Sequence, residues 1–470
     1  MLHVSTRGSA APLSFSDALL AGLARDGGLY VPESWPTVPR PEIAALAGKR
    51  YADAAKRVLR PLIDGEIAAT DLDRMIEAAY AGFRHPAICP LVQLDDNLFL
   101  LELFHGPTLA FKDVAMQLLG RLMDHVLRAR GTRATIVGAT SGDTGSAAVE
   151  AFRGLDRVDV FILFPHGRVS EVQRRQMTSV DADNVHALAV DGNFDDCQTL
   201  VKAMFQHAGF ADAVRLAGVN SINWARVAAQ AVYYFTSAVA LGSPHRDVSF
   251  AVPTGNFGDV LAGWVAKRMG LPIGRLMIGT NANDILARTL EHGAYALRGV
   301  EATTSPSMDI QISSNFERLL FEALGRDASS VSRLMAGLKQ SGGFTLDAPV
   351  LDAIRSEFDA TAVAEPDVLD EIARTHASTG IVLDPHSAIG VRAGRRLLRQ
   401  DPATPVVALA TAHPAKFPDA VSRATGGLRP ALPPHLADLM DRPERMTRIA
   451  NDQSAVEALI RDRARITRGA

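Results

Sequence analysis

The chain has 470 residues, 49 basic and 52 acidic side chains, a formal net charge of -3, and 47% apolar against 21% charged residues. This is globular composition, long enough for about two or three domains with a large core and a cleft between them. The near-neutral balance gives no electrostatic case for nucleic acid or an anionic membrane surface, and no stretch approaches the roughly 18 uninterrupted apolar residues of a membrane span.

The first residues, MLHVSTRGSAAPLSF, lack the charged start and apolar centre of a secretory signal. Through residue 95 the pattern is helical patches joined by Pro- and Gly-containing loops such as DGGLYVPESWPTVP. Next comes HGPTLAFKDVAMQLLG, residues 105 to 120, with Lys112 set among Phe111, Leu109, Val114, Met116 and Leu118. Only seven lysines occur in the whole chain, so basic charge is carried almost wholly by arginine. Arginine neither loses its proton nor forms an imine, and a lysine in an apolar setting therefore stands out. Desolvation disfavours the ammonium form, and a neutral amine is what imine chemistry with a carbonyl needs. The bland alternative is a lysine snorkelling from a helix start and paired to Asp113.

From about residue 132 short apolar strands alternate with helices. ATIVGA (134–139) leads through TSGDTG into a helix; DVFILFP (159–165) and HALAV (186–190) are each followed by helical patterns. VRLAGVN precedes the long segment WARVAAQAVYYFTSAVAL, and VSFAVPT (248–254), RLMIGTN (275–281) and PVVALATAHP (405–414) continue the series. Such alternation predicts a parallel sheet covered on both faces. Residues 426 to 470 combine RPALPPH with an Arg-rich helical pattern and read as a C-terminal extension.

Several strand ends carry polar clusters. In VPTGNFGDV (252–260), Gly255 and Gly258 allow a tight turn into a helix, whose first N–H groups and dipole form an anion cradle. TSGDTGSA (140–147) offers a second such loop, with Asp143 or Thr144 as the expected helix cap. NSINWAR (220–226) adds amide, hydroxyl and guanidinium groups, with Arg226 suited to clamp a phosphate. Thr411 ends an apolar strand, where open α/β sheets bind ligands, and His413 and Lys416 follow it. Taken together, these groups fit a phosphate-bearing aldehyde cofactor. The two cysteines, Cys89 and Cys197, are far apart, which excludes a disulfide framework and a Cys-based zinc site and leads us to expect a reduced, cytoplasmic protein.

Seven segments in order, STRG (5–8), GLARDGGLYVPE (22–33), FHGPTLAFKD (104–113), TSGDTGSAA (140–148), NSINWAR (220–226), PTGNFGD (253–259) and ATAHPAKF (410–417), resemble the threonine synthase family, in the longer of its two classes. The resemblance implies pyridoxal 5'-phosphate as cofactor and a β-family fold: two parallel-sheet α/β domains with helices on both faces and the cofactor in the cleft between them. It implies an N-terminal region at 1–95, a larger cofactor-binding domain at 96–130 and 246–425, a smaller substrate-side domain at 131–245, and the extension at 426–470. Lys112 falls where the family's lysine holds the cofactor, and Gly255, Asn256, Phe257 and Asp259 fall on the loop for its phosphate. Thr411 falls where a hydroxyl meets the pyridine nitrogen. Thr144, Asn220, Ser221 and Arg226 match groups that hold the substrate phosphate, while Ser141 and Asp143 line the substrate carboxylate and cofactor ring. The implied reaction is O-phospho-L-homoserine plus water to L-threonine and phosphate. The rival readings are a phospholyase acting on a phosphothreonine-like substrate and a catalytically silent binding protein; the sequence leaves the oligomeric state open.

Overall fold

Strands that are apolar end to end gain nothing from facing water on either side. In the computed structural model, which describes residues 1–63, 65–140 and 142–466, they become the inner strands of two sheets. The larger sheet runs Phe358–Ala362, Ile273–Thr280, Val248–Pro253, Val406–Ala410, Leu98–Glu102, Leu91–Asp95. Its neighbours are parallel except for the last pair, an antiparallel hairpin. Val248–Pro253 and Val406–Ala410 are buried at every residue, whereas the two edge strands are partly exposed. The smaller sheet is wholly parallel, in the order Thr447–Ala450, Val185–Asp191, Val158–Pro165, Ala134–Ala139, Leu216–Ala217. The expected α/β architecture with two parallel-sheet cores is the observed one.

Two strands lie outside the sheets that a reading by composition suggests. Leu91–Asp95 falls within the N-terminal region by sequence but pairs with Leu98–Glu102 in the larger sheet. Thr447–Ala450, inside the C-terminal extension, adds to the edge of the smaller sheet. The helix that follows it, Gln453–Arg463, plants Val456 and Ile460 against Cys197, Leu200 and Met204. Arg465 then reaches the buried Asp159 with its Nε at 2.6 Å from Oδ1. Further back in the extension, Leu436 and Leu439 pack on Leu109, three residues before Lys112.

Three helices carry the two sheets toward one another. Trp224–Ala240 is buried throughout except at Thr236 and Ala240. Lys112–Ala129 and Asp143–Phe152 touch so closely that a Cβ on Gly120 would sit 2.5 Å from the Ala151 carbonyl oxygen, so any side chain there would push the helices apart. That contact fixes the start of one helix relative to the start of the other. Among the described residues no helix is long and apolar enough to cross a membrane.

The N-terminal strand His3–Ser5 pairs with Tyr30–Pro32 and pushes His3 fully into the core between Phe15 and Trp224, at ring-centroid distances of 6.0 and 6.1 Å. Among the described residues neither ring nitrogen of His3 has a hydrogen-bond partner. Burial lowers its pKa from 6.5 to about 4. The unfolded chain therefore takes up this proton first as the pH falls. Stability is lost between the two values, by about 3 kcal/mol for a shift of this size. We expect His3→Phe to remove most of that difference when denaturant unfolding is compared at pH 7 and pH 4. An unaltered pH dependence in the variant would contradict this role for His3.

Candidate active site

The site forms where the C-terminal ends of Leu98–Glu102, Val248–Pro253 and Val406–Ala410 face the start of the helix after Ala134–Ala139. Open parallel sheets present loop N–H groups and helix N-termini at such ends. The segment that delivers Lys112 is pinned on one side by the strand end that delivers Thr411. Ala110 pairs with Ala412 in an isolated bridge, and the Phe111 N–H donates to the Thr411 carbonyl at 2.8 Å. Leu109 takes a positive φ of 62°, an unfavourable value for a branched side chain that these flanking contacts hold in place.

Lys112 is the first residue of its helix and is buried. Asp113 is not its partner. That carboxylate is turned back to Thr108, accepting from the backbone N–H and from Oγ1 at 2.7 Å each, and burial pushes it up to about 6. The snorkelling alternative therefore fails on geometry. Lys112 Nζ instead lies 3.5 Å from Asp143 Oδ2 and 4.7 Å from the centroid of the Phe111 ring. Burial lowers its pKa; Asp143 opposes the shift, while the charges of Lys416 and Arg226 reinforce it. The result is an amine biased toward its neutral, nucleophilic form.

Asp143 opens the helix Asp143–Phe152, and the cap residue is Gly142 rather than Asp143 or Thr144. Gly142 adopts φ 147°, and a Cβ there would meet the Gln173 amide at 2.4 Å. Gln173 instead donates to Asp143 Oδ1 at 2.8 Å, and Lys416 Nζ reaches the same oxygen at 2.7 Å. Burial alone would raise the Asp143 pKa, but Lys416 and Lys112 outweigh it and hold the carboxyl well below the usual carboxylate range. Thr144 is half-buried one residue further along the helix. Ser141 lies outside the described residues.

The loop Thr254–Phe257 ends at a helix, Gly258–Arg268, entered through Phe257 in the left-handed region at φ 62°. The first N–H groups of that helix have no intrahelical acceptor and receive no side-chain cap. Asp259 is the second residue of that helix; its side chain is taken by the hydroxyls of Tyr233 and Tyr234, the latter at 3.1 Å from Oδ1, and burial pushes its pKa up to about 6. Asn256 and Gly255 are held from outside the loop. Ser313 Oγ donates to the Gly255 carbonyl at 2.6 Å, and Asn315 Nδ2 donates to the Asn256 carbonyl at 2.9 Å. The same Asn315 amide reaches the Ser221 carbonyl at 3.1 Å.

Ser221 is half-buried and Asn220 exposed, while Arg226, one turn into its helix, is buried. Arg226 Nη1 donates to the Val219 carbonyl at 3.2 Å, and among the described residues its Nε has no partner. Burial draws its pKa down to about 10, which leaves it charged at neutral pH. A buried cation with an unused donor beside a helix N-terminus and a buried lysine fits a phosphate-bearing aldehyde and a phosphate-bearing substrate.

Several residues that hold this arrangement carry no local signal in the sequence. Asn315 joins the 254–257 loop to the 220–223 loop, and Arg318 buttresses it. Arg318 donates to Asn315 Oδ1, to the Ile222 carbonyl at 2.7 Å and to the Tyr30 carbonyl at 3.0 Å. Behind Thr411, Ser387 Oγ accepts from the Thr411 N–H at 3.1 Å and donates to Asp384, which also holds His386 Nδ1 at 2.7 Å. Only the spacing of polar residues in SSNFER and DPHS hints at them. His413 caps the turn Pro414–Lys416, accepting from the Ala415 N–H at 3.2 Å.

Known proteins match nearly the whole chain in sequence and fold. Residues 2–80 match the threonine synthase N terminus, 85–412 the pyridoxal-phosphate dependent enzyme family, and 387–460 the threonine synthase C-terminal family. The threonine synthase of Pseudomonas aeruginosa is 53% identical over 98% of both chains. The crystal structure of pyridoxal-phosphate-bound threonine synthase from Brucella melitensis superposes with TM-score 0.96 at 62% identity, covering 99% of this chain and 100% of that one. Yeast threonine synthase gives TM-score 0.93 at 40% identity over 98% of both. The chain belongs to the threonine synthase family of pyridoxal-phosphate-dependent enzymes.

Proposed function

We propose that the protein is a cytoplasmic enzyme that converts O-phospho-L-homoserine and water to L-threonine and phosphate, with Lys112 carrying both the cofactor and the transferred proton. The observation that supports this reading most directly is the buried Lys112, held 3.5 Å from a carboxylate that is already paired to another lysine. Two buried free thiols, Cys89 and Cys197, suit a reducing compartment.

Pyridoxal phosphate, when bound, supplies an electron sink for negative charge at the substrate's Cα. The N–H groups at the start of Gly258–Arg268, with Gly255, Asn256 and Phe257, are the proposed seat of its phosphate, and Thr411 the neutral hydroxyl partner of its ring nitrogen. Lys112, favoured in its neutral form by burial, is placed to accept the protons that leave the substrate Cα and Cβ and to return one to Cγ and one to Cα. Arg226, with Asn220, Ser221 and Thr144, holds the γ-phosphate and stabilises the charge that grows on it as its bond to Cγ breaks. Asp143 lies on the loop proposed to line the substrate carboxylate and the cofactor ring. Lys112 and Arg226 are both buried, which keeps these proton transfers away from bulk water.

Two substitutions test these roles with O-phospho-L-homoserine. Lys112→Ala is expected to abolish threonine formation and to lose the covalent hold on the cofactor that borohydride reduction normally fixes; substantial turnover would sink the assignment. Arg226→Ala is expected to cut kcat/KM by about a hundredfold or more, the scale of losing one donor to developing charge. Unchanged kinetics would remove Arg226 from the phosphate site.

A further inference from the structure

Lys416 is the most deeply buried lysine near the site, with no exposed surface, and nothing in the proposed chemistry uses it. Its Nζ makes two close contacts, with Asp143 Oδ1 at 2.7 Å and the Thr108 carbonyl at 2.9 Å. Lys112 approaches the other oxygen of the same carboxylate only to 3.5 Å. Charge-assisted N–H···O pairs close to roughly 2.7–2.9 Å, while 3.5 Å lies at the outer edge of hydrogen bonding. The geometry therefore gives the ion pair to Lys416, and Lys112 faces a carboxylate whose charge is already balanced.

We propose that Lys416 is a positioning residue for Lys112: it occupies Asp143, prevents that carboxylate from capturing the Lys112 amine as an ion pair, and so leaves Lys112 free to act as nucleophile and base. The same lysine fixes the chain ahead of Lys112. Thr108, whose carbonyl it holds together with Gln176 Nε2 at 3.0 Å, is tied through its own N–H and hydroxyl to Asp113. One buried ammonium thus sets both the backbone that delivers Lys112 and the charge that Lys112 meets.

The other groups facing Lys112 do not substitute for it. Arg226, from the helix Trp224–Ala240, adds positive charge and lowers the Lys112 pKa in the same sense as Lys416. Asp259, from Gly258–Arg268, is engaged by Tyr233 and Tyr234, and Asp113 on Lys112's own helix is turned to Thr108. Asp143 is left as the carboxylate close enough to trap the amine, and Lys416 is what restrains it. A buried ion pair is seldom retained for stability, since apolar replacements of equal volume are commonly as stable, and a role in tuning Lys112 accounts for its presence.

The test uses the full-length chain freed of cofactor and reads the pH dependence of Lys112 modification by an amine-specific reagent, quantified on the Lys112 peptide by mass spectrometry. The inference rests on Lys112 being the reactive lysine; the readout needs no substrate, so its failure would leave the proposed reaction standing. Lys416→Met should raise the midpoint of Lys112 reactivity by about one pH unit or more, the effect of an unscreened carboxylate at this distance. Asp143→Asn should lower the midpoint, and Lys416→Met combined with Asp143→Asn should return it toward the parent value. An unchanged midpoint in folded Lys416→Met, or a double variant that keeps the full upward shift of Lys416→Met, would overturn the proposal. If Lys416→Met does not fold, Asp143→Asn decides: an unchanged or raised midpoint overturns it.

Discussion

Taking an amine out of water disfavours its charged form, and the fold does this to Lys112, which is buried with its pKa lowered. Burial alone would suffice to lower its pKa, but a buried amine attracts any carboxylate within reach. The carboxylate within reach here is Asp143, delivered from the smaller sheet's side of the cleft, while Lys112 and Lys416 come from elements that flank the larger sheet. The charge balance at the site therefore depends on the two halves meeting in one register. The close packing at Gly120, where the helices beginning at Lys112 and Asp143 touch, sets that register.

Around this centre, the anion-binding groups are held by residues that never face the ligand. Asn315 ties the carbonyls of Asn256 and Ser221, so the loop proposed for the cofactor phosphate and the loop proposed for the substrate phosphate share one amide. Arg318, fully buried and with its pKa drawn down to about 9 by burial, locks Asn315 to Ile222 and to Tyr30 of the N-terminal strand pair. The N-terminal region and the C-terminal extension thus take part in the site indirectly. The first does so through Tyr30, the second through Leu436 and Leu439 beneath Leu109.

What could be read from the sequence follows the physics of each feature. Strands buried on both faces are continuous apolar runs, and ATIVGA, DVFILFP and VSFAVPT are each found as strands within a residue or two. Lys112 stood out because lysine is rare in this chain and its neighbours are apolar. Thr447–Ala450 was illegible as a strand, since TRIA lies on an edge, alternates in exposure and has no apolar run to announce it. The partner of Lys112 was equally hidden: Asp113 is adjacent in sequence, but the helix start turns it back to Thr108, and the carboxylate that faces Lys112 comes from thirty-one residues away. Long-range polar staples such as Asn315, Arg318 and Ser387 leave no periodic trace, because each is a single residue whose partners are backbone groups of distant loops.

Elimination of phosphate followed by controlled addition of water is tested most directly by the stoichiometry of the products. Incubating the holoenzyme with O-phospho-L-homoserine should release L-threonine and inorganic phosphate in equal amounts. Phosphate accompanied by 2-oxobutyrate in place of threonine would contradict it and make the protein a phospholyase, in which the same Lys112 and Arg226 serve elimination without hydration.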